Sequence, residues 1–169
     1  SMENYACAKR RLFEFASLQR AIVCADSDYA EFMVATSAAP VWRYSAEANE
    51  SAQFNVLEKS FEQTGARLSV QVLNKEYSVL LPLLGDFNVQ NALAALAAVL
   101  SAIDAPEKAI AALASLQGAP GRMQSCKRAG APLVLVDYAH TSDALDVALK
   151  AIHAHASGRV ICVFGCGGD

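Results

Sequence analysis

The segment 133–149, LVLVDYAHTSDALDVAL, is the sequence feature that most constrains the fold of this chain. Its four apolar residues 133–136 predict a buried strand that ends at Asp137. From Ala144 onward, apolar residues recur at helical spacing, and Thr141 or Ser142 can cap that helix. A strand, a polar turn and a helix in this order place polar side chains at the carboxyl end of a sheet, where open α/β folds bind ligands.

The turn itself carries a carboxylate, a phenol and an imidazole within four residues, on Asp137, Tyr138 and His140. Two interpretations follow from the local pattern. The residues are solvated groups at a capped helix start, or they line a ligand site.

Composition restricts the classes of protein that remain. The 169 residues are 54% hydrophobic and 18% charged with a net charge of −3, which suits one large or two small domains with an apolar core. The sequence has no extended basic patch of the kind that binds nucleic acid. The longest apolar run, 92–100, is too short to span a membrane. Five scattered cysteines without a CxxC pair and the absence of a signal-peptide pattern predict a cytoplasmic protein.

The first half of the chain reads as α/β. Residues 2–18 predict a helix whose apolar stripe is Tyr5, Ala8, Leu12 and Phe15, with Lys9 on or beside it. Short apolar runs at 21–25 and 41–44 predict strands, the first of them buried and of the parallel type, with a weak helix at 28–37 between them. Alternation at 66–73 and 77–81 predicts a β-hairpin, and 54–61 adds a strand.

An apolar helix is predicted at 92–103, buried on nearly all sides, after the polar segment GDFNVQN. Asn88 and Asn91 share a face at its start, where they cap the helix or hold a ligand. Pro106 begins a second helix that ends near Leu116.

The last third of the chain begins with a linker. A glycine- and proline-containing segment with Arg122 links these helices to strands predicted at 123–127 and 159–164. The second of these strands leads into the glycine loop GCGGD.

Four segments in this order, LLGDFNVQNALAALAAVL, GAPGRMQ, VLVDYAHTSDAL and VFGCGGD, resemble the Mur ligases. The last two of these segments are most similar to the branch that adds the third residue of the peptidoglycan stem peptide, and MENYACAKRRLF resembles a segment of the same branch. Ser142 departs from the family, which usually has proline there. The resemblance implies an α/β fold in which 1–118 is the latter part of the central ATPase domain, a sheet with helices plus a β-hairpin. Residues 119–169 would begin a Rossmann-like C-terminal domain.

The activity that the resemblance implies is ATP-dependent amide formation. ATP phosphorylates a substrate carboxylate, and an amine attacks the acyl phosphate with the help of Mg²⁺. The substrates would be UDP-MurNAc-L-Ala-D-Glu and an amino acid, meso-diaminopimelate in preference to lysine, and the enzyme would be a monomer. Because no G-x-x-x-x-G-K-[ST] motif occurs, we expect the chain to be part of a longer protein and inactive alone. Alternatives are a folylpolyglutamate-type ligase and a non-catalytic nucleotide-binding module.

The resemblance also implies which residues contact ATP. Asn91 would lie close to the nucleotide, Arg122 would reach the phosphates, and Asp137 would accept from the ribose hydroxyls. Tyr138 and His140 would line the same pocket.

Lys9 matches the family's carbamylated lysine, which positions Mg²⁺. Its predicted place beside an apolar stripe would partly desolvate the ammonium and favour the neutral amine that reacts with carbon dioxide. The adjacent Arg10 and Arg11 would then help hold a negative group.

Overall fold

The computed structural model describes residues 2–165 of the chain. The elements of the first part are α1 (Met2–Arg10), a short 3-10 helix (Arg11–Glu14), β1 (Ala21–Cys24), α2 (Ala30–Val34), β2 (Val41–Ser45), β3 (Phe54–Glu62), β4 (Gly65–Val72), β5 (Lys75–Leu81), α3 (Asp86–Ala102) and α4 (Pro106–Leu113). Those of the second part are β6 (Gln124–Cys126), β7 (Val134–Val136) and α5 (Ser142–His155). The fold is mixed α/β, as the sequence predicts.

A sheet of five strands in the order β1-β2-β3-β4-β5 forms the centre of the first part. β1, β2 and β3 run parallel, whereas β3, β4 and β5 are antiparallel. Alternation along β4 buries Leu68, Val70 and Val72 on one face. The predicted hairpin, and the strand that precedes it, are therefore confirmed.

Helix α3 covers this sheet and begins at Asp86, earlier than the predicted start at Ala92. Gly85 has a φ of +90°, a conformation suited to glycine, and it turns the chain from β5 into the helix. The prediction that this helix is buried on nearly all sides is wrong, because only one face meets the sheet and α4. The outer face is exposed at Asn91, Ala95, Ala98, Val99 and Ala102. α4 ends at Leu113, three residues before the predicted end.

The N-terminal helix is shorter than predicted and buries a different face. α1 ends at Arg10, and the backbone is already in an extended conformation at Phe15. Tyr5 and Leu12 of the predicted stripe are 55% and 59% exposed, whereas Ala6 is buried. The change to a 3-10 helix alters the residue spacing, so that Phe13 packs on the cluster formed by β1 and α2. α2 also occupies only the middle of its predicted range.

The second part holds a separate two-stranded antiparallel sheet. The prediction of a buried strand at 133–136 is wrong in its burial, because Val134 is 54% exposed and only Leu135 faces an apolar cluster. No strand forms at 159–164, where Ile161, Val163 and Phe164 are exposed, since no described segment pairs with it. The four residues 166–169 of the glycine loop lie outside the described residues.

A small apolar cluster joins the two parts of the chain. Leu84, just before α3, packs with Met123 and Ala148, and Phe87 and Leu135 border them. β7 pairs with β6 and not with β1. The division of the chain at residue 118 stays a prediction.

Two further properties concern the class of protein. None of the helices in residues 2–165 has the length and apolar character needed to cross a bilayer. The thiols of Cys7, Cys24, Cys126 and Cys162 are free.

Candidate functional site

Asp137 fixes the turn that follows β7. Its Oδ2 accepts from the backbone N–H of Met123 at 2.8 Å, and its Oδ1 accepts from the backbone N–H of Ala139 at 2.8 Å. The half-buried carboxylate therefore ties the start of β6 to the end of β7. Each oxygen retains a lone pair that could accept a further hydrogen bond.

Three exposed side chains, those of Arg122, Tyr138 and His140, lie beside the half-buried Asp137, and we name these four residues the turn patch. The rings of Tyr138 and His140 meet edge to face with centroids 5.4 Å apart. His140 Nδ1 also lies 3.1 Å from the Tyr138 carbonyl oxygen. The guanidinium of Arg122 lies 5.4 Å from the Tyr138 ring centroid, within the range of a cation–π contact. The structure thus brings four of the six predicted site residues together.

The linker that carries Arg122 is anchored. Met123 is buried and has a φ of +47°, so it fixes the direction in which the chain enters β6. Gly121 donates its backbone N–H to Gln124 Oε1 at 2.9 Å. The sequence pattern indicated only the glycine and proline content of this segment, and it did not identify Met123 as the residue that anchors it.

Thr141 caps α5, which decides between the two predicted caps. Its Oγ1 accepts from the backbone N–H of Ala144 at 3.2 Å. The cap confirms the polar turn as a helix start, and the turn patch lies immediately before it.

The two asparagines of α3 lie inside its first turns and do not cap it. Asn88 Nδ2 donates to the Leu84 carbonyl oxygen at 2.8 Å, and Asn91 Nδ2 donates to Asn88 Oδ1 at 3.3 Å. The helix begins instead at Gly85, without a side-chain cap. Asn91 keeps an exposed carboxamide on the outer face of the helix.

A cleft of about 290 Å³ runs between the two parts of the chain. Its lining includes Asn88 of α3 and Arg122 of the turn patch, together with polar residues of the β3–β4 turn and of β6. Asn91, Asp137, Tyr138 and His140 are not in the lining. The cleft therefore places the start of α3 next to one member of the turn patch.

Lys9 is exposed and lies apart from this cleft. Its Nζ is 4.9 Å from the ring centroid of Tyr5, which is itself exposed. The expectation that an apolar stripe desolvates Lys9 is therefore wrong.

Arg10, the neighbour of Lys9, is committed to other contacts. Arg10 donates to Glu14 Oε1 at 3.2 Å and to Thr36 Oγ1 at 3.0 Å, which joins α1 to α2. Among residues 2–165, no three His, Cys, Asp or Glu side chains form a cluster that could hold a metal.

Lys59 is a second residue that sequence reasoning missed. Its Nζ donates to Glu47 Oε1 at 2.8 Å, to Asp86 Oδ1 at 2.9 Å and to the Ala46 carbonyl oxygen at 3.0 Å. Partial burial opposes the charged form, but the two carboxylates outweigh it and raise the pKa of Lys59. The lysine ties the loop after β2 to the start of α3.

His155 also escaped prediction, because its partners lie far away in the sequence. Its imidazole is buried and lies between the Glu62 carbonyl oxygen and the Gly85 backbone N–H. This contact brings the end of α5 to the start of α3.

Family models match most of the chain. The Mur ligase middle domain matches residues 1–99, and the Mur ligase glutamate ligase domain matches residues 121–169. A UDP-N-acetylmuramoyl-L-alanyl-D-glutamate–2,6-diaminopimelate ligase of Pseudomonas syringae pv. tomato is 37% identical over all of this chain, which covers 35% of that relative. The chain thus spans about a third of the length of the curated relatives it matches.

Solved structures agree on the fold. The structure of a ligase with the same name is similar with a TM-score of 0.83 and 36% identity, over 100% of this chain and 35% of the other. A Mycobacterium tuberculosis folylpolyglutamate synthase complexed with ADP and AMPPCP has a TM-score of 0.70 at 23% identity, over 90% of this chain and 35% of the other, which shows a shared fold alone. On these matches, the chain belongs to the Mur ligase family.

Proposed function

We propose that this chain is the nucleotide-facing part of a cytoplasmic, ATP-dependent ligase that joins meso-diaminopimelate to UDP-MurNAc-L-Ala-D-Glu in peptidoglycan synthesis. The relatives that match the whole chain at 37% and 38% identity carry the name of that activity. The observation that carries the proposal is the turn patch at the carboxyl end of β7, where Arg122 also lines a cleft with Asn88 of α3. In this proposal, residues 1–118 belong to the central domain and 119–169 begin the C-terminal domain.

The residues of the turn patch have chemistry that suits a nucleotide. Arg122 presents an exposed guanidinium, and we assign it to the phosphates. Asp137 has lone pairs left after its two backbone contacts, and we assign these to the ribose hydroxyls. Tyr138, 66% exposed, offers a ring face to the same ligand, and His140 borders it. We assign the exposed carboxamide of Asn91 to the neighbourhood of the nucleotide.

The proposed reaction forms an amide through an acyl phosphate. ATP transfers its terminal phosphoryl group to the substrate carboxylate and ADP leaves; the amine of the amino acid then attacks the acyl carbon, loses a proton and displaces inorganic phosphate. Negative charge accumulates as the two anionic substrates approach, and Arg122 would offset part of it.

Lys9 is proposed as a carbamate, on the basis of the resemblance of its segment. The exposed amine is accessible to carbon dioxide, and the carbamate would present hard oxygen ligands of the kind that Mg²⁺ prefers. When bound, Mg²⁺ supplies positive charge beside the phosphates. The described residues alone do not form a metal cluster, so Lys9 would supply only part of the coordination sphere.

Two other functions differ from this proposal in what they would bind or turn over. A folylpolyglutamate-type ligase would use a folate substrate, and a non-catalytic module would bind nucleotide without turnover. The 23% identity to a folylpolyglutamate synthase supports the shared fold and not its substrate.

The test uses the full-length ligase that contains this chain. Turnover should require ATP, UDP-MurNAc-L-Ala-D-Glu and meso-diaminopimelate, with lysine and folate substrates inactive. Arg122→Ala should lower kcat/KM by on the order of 10²-fold, as expected for the loss of a charge-stabilising group. Arg128→Ala, an exposed arginine outside the cleft shared by Asn88 and Arg122, is the matched control. Unchanged kinetics for Arg122→Ala would refute its role.

A further inference from the structure

His155 connects the two parts of the chain through both nitrogens of its ring. It ends α5 and is 7% exposed. Its Nδ1 lies 2.6 Å from the Glu62 carbonyl oxygen, and its Nε2 lies 2.9 Å from the Gly85 backbone nitrogen. The ring also meets Phe61 edge to face, with centroids 4.8 Å apart. One side chain of the second part thus contacts both β3 and the segment before α3.

These two contacts determine the protonation state of the imidazole. The Gly85 N–H can only donate, so Nε2 must carry no proton. The Glu62 carbonyl can only accept, so Nδ1 must carry the proton. The contacts therefore fit the neutral Nδ1–H tautomer alone. An imidazolium would direct an N–H at the N–H of Gly85.

The hydrogen bond between Gly85 and His155 matters because Gly85 lies at the start of α3. Gly85 precedes the first residue of α3, so its N–H is among the donors at a helix start that need a partner from outside the helix. Three and six residues further on lie Asn88 and Asn91. The other end of α5 follows the turn patch, and a helix of 14 residues spans about 21 Å. Because a helix is stiff and Ala148 in the middle of α5 also packs with Leu84, docking the end of α5 on Gly85 constrains where its beginning lies.

We infer that His155 is a positioning residue, whose neutral Nδ1–H tautomer holds the end of α5 on the start of α3 and thereby sets the turn patch relative to Asn88 and Asn91. The effect on turnover rests on the proposed function, whereas the docking itself does not. A hydrogen bond of 2.8 Å between Gln63 Nε2 and Ser157 Oγ supports the same contact from the residues next to it.

Protonation of His155 should release the contact. The charged groups adjacent to its partners are Glu62, which pairs with Arg67 at 3.1 Å, and Asp86, which pairs with Lys59 at 2.9 Å. Each carboxylate already forms an ion pair with a lysine or arginine, so neither is free to pair with an imidazolium. The geometry therefore favours loss of the Gly85 hydrogen bond when the ring gains a second proton.

The first experiment uses the unaltered chain and needs no variant. Proton–nitrogen NMR of the histidine rings should show His155 with a proton on Nδ1 and none on Nε2. The Gly85 amide should be protected against hydrogen exchange by about tenfold or more at about pH 7.5, because Nε2 accepts its N–H. A proton on Nε2, or a Gly85 amide that exchanges as fast as one exposed to solvent, would overturn the inference.

Three substitutions of His155 distinguish the hydrogen-bonding roles of its two ring nitrogens. His155→Gln offers an acceptor near the position of Nε2, His155→Asn a donor near that of Nδ1, and His155→Phe only ring packing. Protection of the Gly85 amide should survive largely in the glutamine variant and fall by about tenfold in the other two. His153→Gln, exposed on the same helix, is the control. Equal protection in the phenylalanine and glutamine variants would contradict the assignment.

The activity arm uses the full-length ligase. His155→Phe should raise KM for ATP and lower kcat/KM, and His155→Gln should recover most of the loss, because it restores the acceptor for Gly85. Equal losses in both variants would contradict the positioning role. If the amide results hold but the protein has no ligase activity, the proposed function fails and the docking stands.

Discussion

The carboxylate of Asp137 accepts the backbone N–H of Met123 over 2.8 Å and so joins two segments that are 14 residues apart. Met123 is buried, and its N–H would be left without this partner if the carboxylate were removed. The same side chain also accepts from Ala139, so one residue holds both the linker and the turn patch in place.

Asp137→Ala should therefore destabilise the chain by about 1–3 kcal/mol, the cost of leaving a buried donor unpaired. Asp137→Asn keeps one acceptor oxygen and should lose less. Urea denaturation of the 169-residue chain measures both, with the exposed Asp146→Asn as a control expected to stay within about 0.5 kcal/mol of wild type. Stability equal to wild type in the alanine variant would show that water replaces the carboxylate.

Lys59 leads to a second prediction, since it holds the loop after β2 against the start of α3. Lys59→Met should cost about 1 kcal/mol at neutral pH, after allowance for the exposed part of the contact. The pKa of Lys59 is raised in the folded state. Its contribution to stability is therefore fully present below the pKa of the unfolded chain and is lost as the pH rises through the higher pKa of the folded state. Lys75→Met, which breaks the exposed pair with Glu107, is the matched control and should change the unfolding midpoint little. A larger effect at Lys75 would contradict this ranking.

Some of these features follow from local sequence patterns and others cannot. The β4–β5 hairpin was predictable because its alternation reports directly which face is buried. The cap at Thr141 was predictable because it acts within four residues. Helix α1 was misjudged because its burial depends on where α2 lies, which no pattern within 2–18 reveals.

The site was predictable to the same extent. The turn patch could be found because its residues cluster around one strand end, and the family resemblance named them. His155 could not, because its partners are a carbonyl and an N–H of the backbone, 93 and 70 residues away. Backbone groups occur at nearly every position, so such contacts leave no mark in the sequence of the partner. The strand predicted at 159–164 is absent for a different reason. The apolar composition of this run suits a strand, but no described segment pairs with it.

Tyr44 gives a prediction on pH dependence. Burial, followed by the neighbouring Cys24 and Asp26, raises the pKa of Tyr44 to about 12. A tyrosine ionises near pH 10 in an unfolded chain, so the folded state retains a proton that the unfolded state has lost. Stability from this group is therefore intact below about pH 10 and declines as the pH rises toward about 12.

Tyr44→Phe should remove this part of the decline. Urea denaturation at about pH 9 and about pH 11 should show a smaller loss of stability in the variant than in wild type, and the phenolate absorbance should lose its step near pH 12. Tyr138→Phe, an exposed tyrosine, is the control. Identical slopes in Tyr44→Phe and wild type would contradict the role of burial.

Lys9 supplies the last prediction, and its surroundings set what carbamylation must overcome. The ammonium lies 4.9 Å from the Tyr5 ring centroid, a contact that stabilises the cation by about 0.5–1 kcal/mol at an exposed site. Carbamylation replaces this cation with an anion, so a cation beside the new charge must offset the loss. In the proposed ligase, that cation would be Mg²⁺.

Lys9→Ala in the full-length ligase should accordingly lower turnover by on the order of 10²-fold, and added short carboxylates should restore part of it by taking the place of the carbamate. Lys108→Ala, an exposed lysine on α4, should behave as wild type with and without the additive. Tyr5→Leu removes the contact that favours the ammonium and should leave turnover intact. NMR with ¹³C-labelled carbon dioxide should show a carbamate signal in the wild-type ligase that is lost in Lys9→Ala. Full activity of Lys9→Ala without any carboxylate would end the hypothesis, because no other described residue is assigned to that ligand position.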